Sequence, residues 1–236
     1  MAGFSNISGR TTMPVTTHLI IINVLMLLVT RILDARGLAD LNTYLGLHYY
    51  DSPLCHLWQY VTYMFMHADF GHLFSNMFTL FMFGRLLEQV WGSGRFTVYY
   101  LVTGIGAAIT QQVAWRFGVV DTELTRLQTL DPSLTYPGLL AQAPHYFDPL
   151  VTIGASGSVF GILLAFGMLF PNMMVFLLIP PMPLKVKWLV IGYGLFEFFA
   201  GIMPSGDGVA HFAHLGGMLF GLLLILWWRK EARADF

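Results

Sequence analysis

The chain has 236 residues, 56% of them hydrophobic and only 11% charged. Soluble domains carry about 25% charge, and the mean hydropathy here is +0.65, so a helical membrane protein built as one compact bundle is the simplest reading. The formal net charge of −1 argues against a nucleic-acid partner, and the single cysteine, Cys55, excludes an intrachain disulfide and a cysteine-based metal site.

Residues 1–17 are polar and read as a cytoplasmic N-terminal segment. The apolar run 19–29 reads as an uncleaved signal anchor. Hydropathy predicts transmembrane helices over residues 18–33, 70–90, 96–117, 152–170, 186–203 and 210–228. The predicted fold is therefore all-α, a six-transmembrane-helix bundle over residues 18–228, followed by a cytoplasmic tail, 229–236.

Between the first two helices, residues 34–69 carry Tyr44, Tyr49, Tyr50, Trp58, Tyr60 and Tyr63. Such rings favour the headgroup layer, so part of this loop is expected in the interface. Residues 118–150 hold several prolines and acids and read as an irregular external loop. There is no internal repeat, which weakens an inverted-repeat transporter reading.

Lys and Arg set orientation. With the N-terminus inside, Arg10, Arg85, Arg95, Lys185, Lys187, Arg229, Lys230 and Arg233 are cytoplasmic, whereas Arg31, Arg36, Arg116 and Arg126 face out. The imbalance favours both termini in the cytoplasm, with a bacterial inner (plasma) membrane as the expected location.

Two polar groups at membrane depth carry chemistry. Ser156, in Gly154-Ala155-Ser156-Gly157, opens the fourth helix, where free N–H groups and the helix dipole would stabilise an oxyanion. On its own the motif also reads as small-residue packing continued by Gly161. His214 lies on the sixth helix with Gly217 and Gly221 at i+3 and i+7 on the same face, so the small faces of helices six and four can meet. That would bring an imidazole to the serine as general base, with Phe160 stacked upon it. His211, three residues earlier, is expected nearer the outer mouth and closer to water. His72 and Asn76 share a face of helix two, with His67 just before them, and are donors of oxyanion-hole type. Asp207, seven residues before His214, is expected to stay in the outer loop rather than complete a triad.

The spaced set His67-x4-His72-x3-Asn76, Gly154-Ala155-Ser156-Gly157 and Ala213-His214-x2-Gly217-x3-Gly221 resembles the rhomboid family of intramembrane serine proteases. The resemblance runs from about residue 18 to 228. It implies a Ser156–His214 dyad without a catalytic aspartate, oxyanion binding by His72 and Asn76, and support from His67. It also implies a water-filled cavity open to the outside and lateral entry of a substrate helix near helix five. The chain departs from the family pattern at Trp58-Gln59, where Trp-Arg is usual, and at Phe160, where a tyrosine is common.

Expected partners are the bilayer and single-pass or polytopic membrane-protein substrates whose helices are loosened by Gly, Pro or polar residues. No cofactor and no metal are expected. One alternative is a rhomboid-like pseudoprotease that binds or chaperones membrane proteins. Another is a metal site on His67, His72, His211 and His214, for which no acid stands in the same helical turns. Glu197 in helix five reads as a protonated structural carboxyl, or alternatively as a proton carrier.

Overall fold

The computed structural model describes residues 13–178, 181–203 and 209–234. Arg10 and Asp207 lie outside the described residues, as does most of the N-terminal segment.

Helix α1, Val15–Ala35, has no side-chain cap of its own. Its first amides are instead taken by Glu88, whose carboxylate accepts from Val15 N at 2.7 Å and Thr16 N at 2.9 Å, and also from the Thr16 hydroxyl. A buried acid thereby satisfies helix-end donors that would otherwise be orphaned. The short helix α2, Leu41–Leu45, is capped by Asp40, and strand β1 follows at Leu47–His48. Next come α3, Gln59–Thr62, and α4, Phe70–Thr79, which Asp69 caps through His72 N. A wide helical turn at Leu80–Gly84 carries α4 into α5, Arg85–Trp91.

Helix α6, Ser93–Ala114, runs through the centre and leads by a second wide turn, Trp115–Val120, into α7, Asp121–Gln128. Helix α8, Tyr136–Gln142, is capped by Thr135 with Pro137 in its first turn. These pieces correct the expectation of an irregular loop over 118–150. Trp115, Val120, Leu139 and Phe147 close with Tyr49 around a small separate core, and apolar burial there offsets the cost of ordering the segment.

Strand β2, Val151–Thr152, pairs antiparallel with β1. Helix α9 is Ser156–Leu169, so the apolar run that predicts a helix from residue 152 begins instead as strand. Strands β3, Met174–Leu178, and β4, Pro181–Lys185, form an antiparallel pair, a second departure from a purely α chain. Helix α10, Val186–Ile202, and α11, His211–Ala234, complete the fold.

The main core joins α6, α9 and α11 through Phe96, Tyr99, Tyr100, Ile162, Phe166 and Ile225. Small residues set the contact. A Cβ on Gly217 would sit 1.9 Å from the carbonyl oxygen of Gly157, so α11 lies with its backbone directly against α9. Two helical segments, Val15–Ala35 and His211–Glu231, are long and apolar enough to cross a membrane on length and composition, and Ser156–Leu169 is a shorter apolar helix.

Candidate active site

The close α9–α11 contact carries Ser156 and His214 to each other. Ser156 Oγ lies 2.8 Å from His214 Nε2. Ser156 opens α9, and the first i to i−4 bond of that end is Val159 N to Ala155 O at 3.0 Å. The amides of residues 156–158 thus precede the ladder and remain available as donors. His214 is 8% exposed, and Phe160 lies flat on its ring with centroids 4.3 Å apart and planes 5° apart.

The segment before Ser156 is held from three sides. The β1–β2 pairing fixes residues 151–152, and Gly154 N donates to Tyr63 O at 2.9 Å. Tyr63 is anchored in turn by its hydroxyl on Gly104 O at 2.7 Å. Gly154 has φ +133°, and a Cβ there would meet His72 Nε2 at 2.8 Å. A side chain at this position would therefore be strained and would displace the histidine beside the serine.

His72 Nδ1 accepts from Ala68 N at 3.4 Å. In a neutral ring that places the proton on Nε2, the nitrogen turned towards Gly154. Asn76 is buried and donates through Nδ2 to His72 O at 3.1 Å. His67 packs edge-on to His72 with centroids 4.9 Å apart. Asp69 caps this helix, and the His72 N–H bond holds its carboxyl below the usual aspartate range. His72, Asn76, Ser156, Phe160 and His214 together line a cavity of about 460 Å³. His67 is buried behind it. Gly157 and Gly161 face α6 and α11, and Gly221 packs on Tyr99. These glycines make helix contacts and do not reach the cavity.

Two expectations need correction. His211 is not near water: it is 5% exposed, and its Nδ1 lies 2.6 Å from Glu197 Oε2. Glu197 also lies 2.9 Å from His214 Nδ1, so an acid does stand beside the two histidines. Ligand-capable atoms of Glu197, His211 and His214 fall within 4.8 Å of one another. The acid comes from α10 and not from the helical turns that carry the histidines.

Gln59 is the residue sequence reasoning undervalued. It is fully buried and holds the first outer loop with four bonds. Its Oε1 accepts from His48 N at 3.3 Å and His56 N at 3.1 Å. Its Nε2 donates to Tyr44 O at 3.3 Å and Leu54 O at 2.9 Å. A neutral amide, with both donors and acceptors, anchors the loop where the family pattern has arginine.

The rhomboid-domain family model matches residues 54–231. The chain belongs to the rhomboid family. Among its relatives is Rhomboid-like protein 11, chloroplastic, of Arabidopsis thaliana, 28% identical over an alignment of 228 positions that covers 88% of this chain and 62% of that protein. Rhomboid protein 1, mitochondrial, of Saccharomyces cerevisiae is 29% identical over 67% of this chain and 38% of its own length. Rhomboid protease AarA of Providencia stuartii is 24% identical over 71% of this chain and 54% of its own length. The chain thus spans between 38% and 62% of these three rhomboids. As a rhomboid it is an integral membrane protein of a family that includes serine proteases.

Proposed function

We propose that this rhomboid is an active intramembrane serine endopeptidase that cleaves transmembrane segments of membrane proteins through a Ser156–His214 dyad. The observation that carries the reading is the 2.8 Å contact between Ser156 Oγ and His214 Nε2 at a cavity that His72 and Asn76 also line. His214 takes the serine proton as Oγ attacks the scissile carbonyl, then returns it to the leaving amine. The amide of Ser156, His72 Nε2–H and the Asn76 amide are the donors for the oxyanion. His67 supports His72. No metal or cofactor enters these steps.

Six transmembrane helices complete the proposal: α1, α4–α5, α6, α9, α10 and α11, within a membrane domain of residues 18–228 between cytoplasmic segments 1–17 and 229–236. Large apolar side chains exposed along α1, α4, α10 and α11 support it, among them Leu28, Phe74, Phe196 and Leu223. With 14 residues, α9 is about 21 Å long, short of a hydrocarbon core of about 30 Å. Its outer end, with Ser156, would then lie below the surface, where irregular backbone is tolerated only when buried or lining a cavity. We place both termini in the cytoplasm of a bacterium.

The test uses purified protein in liposomes with a panel of single-pass substrates, alongside labelling by a fluorophosphonate probe. Cleavage and labelling that vanish in Ser156→Ala support the reading. Cleavage that survives that change overturns the dyad, whereas a folded wild type that neither cleaves nor labels points instead to a pseudoprotease.

A further inference from the structure

Helix α10 buries only three side chains, Val186, Val190 and Glu197. Its other faces show large apolar groups, including Trp188, Leu195, Phe196 and Phe199. A carboxylate held inside such a helix is costly unless it is bonded. Glu197 is 4% exposed, and one oxygen, Oε2, meets both His211 Nδ1 at 2.6 Å and His214 Nδ1 at 2.9 Å.

We propose that Glu197 is a positioning residue for the reaction, the third member of a Ser156–His214–Glu197 relay whose carboxylate His211 holds in place. The proposal rests on the protease reading above and departs from the two-residue unit that the family resemblance implies.

Tautomer chemistry carries it. To accept the serine proton, His214 Nε2 must be bare, so the ring proton sits on Nδ1. Nδ1 faces Glu197 Oε2. When Oγ attacks the carbonyl carbon, the π pair moves to the oxygen and the Oγ proton moves to Nε2. An imidazolium then stands beside a carboxylate. The proton leaves Nε2 for the amine nitrogen as the C–N bond breaks, and Glu197 stays ionised throughout. Phe160, parallel to the ring, holds its plane with Nε2 on Ser156 Oγ. The Nδ1–Oε2 contact is short enough but misses the N–H direction, and Nδ1 has no better-aligned partner among the described residues. Such contacts commonly tighten only when substrate is bound.

The spacing favours protons over a metal. Ligands on a tetrahedral zinc with bonds of about 2.0 Å stand about 3.3 Å apart. The two nitrogen–oxygen separations here, 2.6 and 2.9 Å, are those of hydrogen bonds. The groups facing His214 are Ser156 and Phe160 from α9, Glu197 from α10, His72 across the cavity from α4, and His211 on its own helix.

The experiment compares wild type, Glu197→Gln and Glu197→Asp in proteoliposomes. It reads kcat, KM and the fluorophosphonate labelling rate of Ser156 against pH, with thermal unfolding as the folding check. Glu197→Gln should keep KM, lose about 10²- to 10⁴-fold in kcat and labelling, and move the acidic limb to lower pH because the imidazolium loses its counter-charge. Glu197→Asp should recover part of the rate. An unchanged profile overturns the proposal, as does a loss of rate with the limb unmoved. A wild type that neither labels nor cleaves defeats the protease reading itself. If the variants do not fold, ¹⁵N-histidine spectra of the wild type decide. His214 protonated on Nδ1 supports the relay, and the Nε2 tautomer overturns it.

Discussion

Phe160 lies parallel to His214, ring on ring, 4.3 Å between centroids and 5° between planes. Both residues reach this stack from helices whose backbones touch at Gly157 and Gly217. The stack fixes the imidazole plane, and with it the direction of Nε2 towards Ser156 Oγ. Phe160→Tyr keeps the stacking face and should keep most of the activity. Phe160→Ala removes a contact worth about 0.5–1.5 kcal/mol, or roughly 2- to 13-fold. The loss should fall on kcat, measured with a single-pass substrate, since orientation matters most in the transition state. A change confined to KM would place Phe160 in substrate binding instead.

Ser156→Ala and His214→Ala should each remove cleavage by about 10⁴-fold or more while leaving thermal unfolding near that of wild type. Ser156 is only partly buried, and losing its Oγ leaves no large cavity. Substantial cleavage by either purified variant would contradict the dyad.

Asn76→Ala should lower kcat by about 10- to 1000-fold, the range for one oxyanion donor, with a smaller effect on KM. Only one amide hydrogen is committed to His72 O, at 3.1 Å, which leaves the other for the cavity. A pure KM effect would assign Asn76 to substrate positioning.

The reach of the sequence reading follows from where its signals lie. Ser156, His214, His72 and Asn76 stand in local motifs whose helical spacing puts each on a definable face, and the structure gathers them around one cavity. Glu197 and His211 gave no such signal, because their pairing joins two helices and depends on how α10 docks. Gln59 looked like a departure from a pattern, and its four bonds exist only once loop and helix are folded together. The outer segment was legible in part. Asp121 and Glu123 in a first turn, Arg126 in a last turn, and Thr135 before Pro137 are helix-end signals that prolines and acids obscured. Helix α9 starts later than its hydropathy predicts because Val151, Thr152 and Ile153 continue the hydropathic stretch while their β-branched side chains favour strand.

That outer segment carries a pH-sensitive contact. Arg126, by a paired hydrogen bond, and then the Tyr146 hydroxyl hold the Glu123 carboxyl down to about 2 from its ordinary 4.5. A depressed folded-state value means the contact contributes above pH 4.5 and is lost as pH falls towards 2. Hydrogen exchange over residues 121–147, corrected for intrinsic rate, should lose protection across that window. Glu123→Gln should remove the step while leaving cleavage at neutral pH intact. Its partner Arg126 is exposed, so solvent screening keeps the effect local. A step that persists in Glu123→Gln would assign it to another carboxyl.

Gly217→Ala should be the most damaging single-methyl change in the helix packing. The added Cβ would stand 1.9 Å from a backbone oxygen, that of Gly157, and backbone cannot rotate away as a side-chain tip can. Helix α11 must then move off α9, at a cost at or above the usual overpacking range of about 1–3 kcal/mol. The same movement lengthens the Ser156–His214 contact, because Gly217 lies one turn from His214 on the contact face. Thermal unfolding should drop by several degrees, and kcat should fall with it. Gly192 is the control: nothing lies within 4 Å of a Cβ built there. Gly192→Ala should be neutral, or stabilising by up to about 1 kcal/mol through helix propensity. If both alanines behave alike in melting and turnover, the α9–α11 contact does not set the geometry of the site.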